Sequence, residues 1–157
     1  MELQTIFKKL GIEYEETTHP PVYTVEQIGK IPLNIIGTGC KNLFLTDHHQ
    51  TYLLVILEEH KQADLKKIAK AAGTKRLSFA SDKALQELLG LSPGSVSPFG
   101  LMHDPDKQVR TVIDASLVGK RLLFHPNVNT KTIAVWYDDL IRFIEFTGHK
   151  YVCFYES

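Results

Sequence analysis

Leu3, Ile6, Phe7 and Leu10 recur at helical spacing and Gly11 follows them, which predicts an amphipathic first helix with a glycine stop. Residues 12–18 alternate weakly, as a strand does, until His19-Pro20-Pro21 ends the pattern. Thr24 is placed to cap a short helix over residues 25–29, with Glu26 and Gln27 in its first turn. A Pro- and Gly-punctuated loop over residues 31–39 then leads to Lys41 at the lip of a strand. Leu43, Phe44 and Leu45 are apolar without alternation, the pattern of a strand buried on both faces. Residues 42–46 and 52–57 read as two strands, and polar residues 47–51 between them predict a hairpin.

Asp64 begins a helix whose apolar side is Leu65, Ile68, Ala69 and Ala72, with Gly73 as terminator. Residues 76–80 predict a short strand, and Ser81 caps a helix carrying Leu85, Leu88 and Leu89 up to Gly90. Residues 92–98 form a turn-rich loop. Strands are predicted over residues 109–113, 122–124 and 133–136. Asp138 or Asp139 then starts a last helix, and residues 151–155 make a terminal strand. Irregularly interspersed helices and strands argue for a mixed α+β fold, as one domain over residues 1–157. Closing its sheet into a barrel-like form would remove exposed edges.

Composition narrows the partners. A 43% apolar and 23% charged chain of 157 residues can bury a sizeable core. Its formal net charge of zero argues against tight non-specific binding of nucleic acid or anionic membrane, while leaving room to recognise one end of an RNA in a pocket. No signal peptide is visible, and no apolar run approaches the roughly 20 residues that span a bilayer. Two cysteines, Cys40 and Cys153, cannot build a disulfide framework, so a reducing cytoplasm is expected.

Several residues carry potential chemistry. Lys41, partly withdrawn from water at a strand start, would present an effective positive charge; equally, it could snorkel outward. His48, His49, His60 and His103 lack metal-ligand spacing, so no metal is expected. Cys40 beside Lys41 could be a nucleophile with His125 as distant partner, but in an extended chain the side chains of residues 40 and 41 point to opposite faces, which favours Cys40 as a small filler. The N–H groups of Gly94, Ser95, Val96 and Ser97, ahead of Pro98, could converge on a carbonyl oxygen or phosphate, or merely form a turn. His125, held by Pro126 and followed by Asn127 and Asn129, could stand at a pocket mouth or be a structural histidine. The basic segment over residues 61–76, five lysines and one arginine against one aspartate, could touch phosphates or be a solvated helix face.

Taken together and in order, these segments resemble the YbaK/ProX family of aminoacyl-tRNA deacylases, free-standing relatives of the editing domain of bacterial prolyl-tRNA synthetase. The resemblance rests on His19-Pro20-Pro21 with Val22-Tyr23-Thr24 and on Lys41-Asn42-Leu43-Phe44-Leu45. It continues through the loop from Gly94 to Leu101, then Phe124-His125-Pro126 with Asn129-Thr130, and ends at Gly148-His149. It spans nearly the whole chain and looks most like the alanyl-tRNA(Pro) deacylases of the PrdX type. It implies a barrel-like sheet surrounded by helices, hydrolysis of mischarged aminoacyl-tRNA, and no cofactor. Lys41 and His125 would be the catalytic pair. Asn42, Gly94, Ser95, Val96, Ser97, Pro98 and Asn129 would contact the substrate. Partners would be the acceptor end of mischarged tRNA(Pro) and prolyl-tRNA synthetase, with no membrane. Cys40 and Ser97 stand where threonine is expected, and His103 where asparagine is common. Cysteinyl-tRNA(Pro) hydrolysis, or a non-catalytic module sensing an amino acid or charged tRNA, are the alternatives.

Overall fold

The computed structural model describes residues 2–20 and 35–155. The short helix expected over residues 25–29, and most of the loop leading to Lys41, lie outside them. Four helices are described: α1 (Leu3–Leu10), α2 (Leu65–Ala72), α3 (Asp82–Leu89) and α4 (Tyr137–Phe146). The strands are β1 (Glu15–Thr18), β2 (Thr38–Thr46), β3 (Tyr52–Glu58), β4 (Ser78–Phe79), β5 (Val109–Asp114), β6 (Arg121–Phe124), β7 (Lys131–Trp136) and β8 (Tyr151–Phe154). Helix α1 ends at Gly11 in the left-handed region (φ 68°), and Asp64 and Ser81 cap α2 and α3 by accepting from the N–H groups of Lys67 and Ala84. Helix α4 begins at Tyr137 rather than at an aspartate cap. Asp138 and Asp139 occupy its first turn, where the helix dipole favours negative charge.

The sheet runs β1-β7-β6-β2-β3-β5-β8, with β4 added to β2. Mixed α/β architecture is as expected, but the sheet does not close: β1 and β8 remain its ends. Both end strands are only four residues long, and β1 carries Glu15 and Glu16, so shortness and charge blunt the edges that closure would have removed. Strand β2 changes partner along its length. Thr38 and Gly39 pair with Leu122 and Leu123 of β6 in parallel, whereas residues 40–46 pair antiparallel with β3. That first pairing draws Thr38 and Gly39 into the strand, so Lys41 is its fourth residue instead of its lip. Gly37 permits the approach to β6. A Cβ there would lie 2.9 Å from Leu123 Cδ2 and 3.0 Å from the Arg121 carbonyl oxygen.

Each face of the sheet buries its own core. Phe44, Leu54, Ile56, Leu122, Phe124, Ile133 and Val135 meet α1, α3 and α4 on one side, while Leu45, Leu53, Val55, Leu57 and Val112 meet Ile68, Ala69 and Ala72 of α2 on the other. Continuous apolar runs in β2 and β3 follow from this double burial. Phe99 centres the first core, with ring centroids 5.3, 5.7 and 5.1 Å from Phe7, Phe124 and Phe143 in edge-on contacts. Each such contact contributes about 0.5–1.5 kcal/mol beyond area burial.

Two buried polar clusters tie the strands to their loops. Asp104 accepts from the N–H groups of Gln108 and Val109 and lies 2.8 Å from His149 Nε2. The Thr147 hydroxyl donates to the Ile144 carbonyl and so accepts from His149 Nδ1, which leaves both ring nitrogens as donors. Asp114 accepts from Lys61 Nζ at 2.9 Å and from the N–H groups of Glu58 and Ser116. Burial alone would raise its pKa, but these bonds outweigh it and hold the carboxyl below the usual carboxylate value. Among the described residues no helix is long and apolar enough to cross a membrane.

Candidate active site

The site is built where β2 leaves β6. The last parallel pair is Gly39 with Leu123, and two residues further along each chain stand Lys41 and His125. Side chains repeat every second residue, so Lys41 shares the sheet side of Gly39, and His125 follows Leu123 in the same way. Beyond that point β2 bends towards β3, pairing Lys41 with Leu57. The two residues therefore flank the gap between the parting strands. Lys41 is half-buried and has no ionic or hydrogen-bonding partner among the described residues.

His125 is held in one tautomer. Its Nδ1 lies 2.9 Å from the Lys131 carbonyl, which can only accept, so Nδ1 carries the hydrogen and Nε2 keeps its lone pair. Burial pushes its pKa down, the Lys131 bond opposes this, and the nearby His19 lowers it further. The His19 ring packs against it, with centroids 5.7 Å apart. His19 Nδ1 donates to the Pro20 carbonyl at 2.8 Å, so its Nε2 accepts from the Thr132 hydroxyl at 2.7 Å. The sequence marks His19 as the end of a strand and as part of the segment that carries the family resemblance, without giving it a place in the site. The signal was its place directly before Pro20, whose carbonyl accepts from the ring's Nδ1.

In the loop, residues Pro93–Ser95 form a tight turn in which the Ser95 N–H donates to the Ser92 carbonyl at 2.9 Å. That amide is committed within the turn, so of the four amides expected to converge only those of Gly94, Val96 and Ser97 remain. Ser97 is fully buried, and its hydroxyl caps the turn Pro98–His103 by accepting from the Phe99 N–H. Pro98 and Phe99 anchor the loop in the first core.

Asn42 lies on the Phe44 side of β2, and its Oδ1 is buried with no hydrogen-bond partner among the described residues. Asn127 shares that property. Its φ of 65° is in the left-handed region, and its Nδ2 meets the Met102 sulfur at 3.8 Å, linking the His125 turn to the pocket loop. Each orphan acceptor costs about 1–3 kcal/mol, which a substrate donor would recover. Asn-after-Pro, tolerant of left-handed backbone, was the sequence signal for Asn127. Asn129, in the same turn, is half-buried and has a partner of its own.

Cys40 does not have the properties of a nucleophile. Its thiol packs with the first core and meets the Thr38 carbonyl at 3.6 Å, while burial, then Glu59, Asp114 and Glu58, push its pKa far up. For a metal, the described residues offer one grouping, Glu58, Glu59 and His60, with ligand atoms within 4.8 Å of one another. It couples one exposed histidine to two carboxylates at the end of β3, with His60 Nε2 3.4 Å from Glu59 Oε1.

A sequence profile described as an aminoacyl-tRNA editing domain matches residues 19–143. The chain belongs to the aminoacyl-tRNA editing domain family. Among curated members it is 37% identical over 145 residues to the prolyl-tRNA editing protein ProX of Acetoanaerobium sticklandii, covering 91% of this chain and 88% of that protein. It is 32% identical over 151 residues to prolyl-tRNA synthetase associated domain-containing protein 1 of Danio rerio, covering 94% and 82%. The crystal structure of a hypothetical protein, APE2540, superposes with a TM-score of 0.75 at 18% identity, over 97% of this chain and 99% of that one. This last likeness concerns the editing-domain fold alone.

Proposed function

We propose that the protein is a trans-editing aminoacyl-tRNA deacylase that hydrolyses the ester of mischarged tRNA(Pro), with alanyl-tRNA(Pro) as its substrate, in the cytoplasm. The observation that carries this reading is the placement of Lys41 and His125 at matching positions where β2 and β6 part, in a chain of the editing-domain family. The name of the ProX relative supports tRNA(Pro) as the carrier, and that of the Danio rerio relative supports prolyl-tRNA synthetase as a neighbour in action.

An aminoacyl ester is already activated, so positioning a water and stabilising charge on the carbonyl oxygen can supply the rate. Lys41 faces the developing oxyanion or the terminal phosphate. His125, neutral and with Nε2 open, orders the attacking water and accepts its proton. The free amides of Gly94, Val96 and Ser97 hold the aminoacyl group, with Pro98 fixing their loop, and Asn42 and Asn129 order the ribose. Selection is steric: a pocket sized for alanine excludes larger side chains, while one methylene is worth only about 1–3 kcal/mol.

The test is a deacylation panel of alanyl-, cysteinyl- and prolyl-tRNA(Pro), with wild type and Lys41→Ala. Lysine-dependent loss of alanine alone is expected. Preferential loss of cysteine would replace the substrate, and turnover undiminished in Lys41→Ala would overturn the mechanism.

A further inference from the structure

Three concavities adjoin at the far end of the sheet from Lys41. One is lined by Lys75 and Arg76 and shares His48 with the next. That second concavity, about 910 Å³, shares Lys107 and Arg110 with a third, which extends to Lys150. All six residues are exposed. They form a continuous band with five permanent positive charges on a chain whose formal net charge is zero. The acids within it are few. Asp47 is turned back onto the N–H groups of His49 and Thr51, and Asp106 is exposed. Lys75, Arg76 and Lys150 have no ionic partner among the described residues. Arg110 donates to the Ala72 carbonyl, which fixes its guanidinium at the end of α2 with further donors to spare.

The basic segment over residues 61–76 is thereby divided. Lys61 turns inward to Asp114, whereas Lys75 and Arg76 reach the band. Strand β4, just after them, pairs with Leu45 and Thr46 of β2, so the band begins at the opposite end of the strand that carries Lys41. Six residue-to-residue steps lead from Lys41 to Asp47, just past the end of β2, about 20 Å at ~3.3 Å each. A terminal adenosine seated at Lys41 does not span that distance. Counted back from the terminal adenosine through the unpaired nucleotides beside it, the phosphates at that distance are those where the single strand meets the duplex stem.

We propose that this band is a docking surface for the phosphate backbone of the tRNA acceptor stem, separate from the pocket that holds the aminoacyl end. The inference rests on the deacylase reading for its kinetic readout, not for its binding readout. Phosphate contacts of this kind position a substrate without reading its sequence, and they weaken with salt.

The experiment compares wild type with Lys75→Glu/Arg76→Glu and Lys107→Glu/Lys150→Glu. Three measurements are made: kcat/KM on full-length charged tRNA, kcat/KM on a short aminoacylated CCA fragment, and affinity for uncharged tRNA(Pro) across a salt series. Each double variant is expected to lose about tenfold or more in kcat/KM on full-length tRNA and about 2 in the log–log salt slope, while the short fragment is hydrolysed as by wild type. Unchanged tRNA kinetics and salt slope in both variants would overturn the proposal. So would unchanged tRNA binding with weakened binding to prolyl-tRNA synthetase, which would assign the band to an acidic protein surface. Should wild type hydrolyse no charged tRNA, the deacylase reading fails, and the salt slope on uncharged tRNA still decides the docking surface.

Discussion

The ring of His19 stands edge-on to that of His125 at 5.7 Å, and each imidazole is pinned through Nδ1 to a backbone carbonyl. Two neighbouring rings fixed as hydrogen donors at Nδ1 leave His125 Nε2 as a lone pair beside Lys41's strand.

The lowered pKa of His125 gives the activity profile a direction. The neutral ring persists below its ordinary value near 6.5, so the acidic limb of kcat should fall below that pH. His19→Ala, which removes a neighbour that lowers the pKa, should move the limb upward. Stability shows the matching sign. The unfolded chain binds this proton more readily, so the contribution of His125 is complete above about 6.5 and declines as pH falls from there towards the folded pKa. NMR titration of the His125 ring and a pH series of kcat check both.

His149→Ala should destabilise the protein by about 3–5 kcal/mol, because it leaves buried Asp104 without its partner. Urea unfolding measures the loss. Turnover per folded molecule should stay near wild type in the cold, since the pair ties α4 and β8 to the loop before β5 and does not touch Lys41.

Asp114 predicts acid sensitivity of a different origin. Its folded pKa is depressed, so its stabilisation is present above the unfolded value near 3.8 and is lost as pH falls through the folded pKa. Lys61→Ala should cost about 1.5–3 kcal/mol at neutral pH and shrink this acid-dependent part. Unfolding free energies from pH 2 to 7 for both proteins would show the two curves converging at low pH.

Cys40→Ala should retain turnover, because a buried thiol with a raised pKa supplies no thiolate. Iodoacetamide should leave the wild-type enzyme active over times that modify an exposed cysteine. Loss of activity in Cys40→Ala with an intact fold would return the thiol to the mechanism.

Helix stops and caps were legible in the sequence wherever chemistry is local. Gly11, Gly73 and Gly90 end helices in the left-handed region, and Asp64 and Ser81 cap them, as their neighbours predict. The hairpin of β2 and β3 was equally plain. What escaped is long-range. Pairing of Thr38 and Gly39 with β6, the open sheet, and the contact of His19 with His125 join residues some 80 to 110 positions apart, and no window of sequence contains both partners. The lysine, histidine and loop could be named as candidates from residue type and resemblance. That the Ser95 amide is spent inside its own turn, and that Asn127 carries an orphan oxygen, depends on backbone angles.

Strand parity gives the hairpin turn a remote authority over chemistry. Along β2, odd positions carry Lys41 and even positions carry Cys40 and Asn42, so a slip of one residue would send the lysine into the apolar core and bring a thiol or an amide to its place. The turn that sets this count lies at the other end of the strand. Its Asp47 carboxylate gathers the N–H groups of His49 and Thr51, and His48 and Gln50 adopt left-handed backbone. An inserted or deleted residue there would leave a recognisable fold with its lysine facing the wrong way. Under the proposed lysine-dependent mechanism, proofreading would thus depend on a loop that need never meet the amino acid being judged.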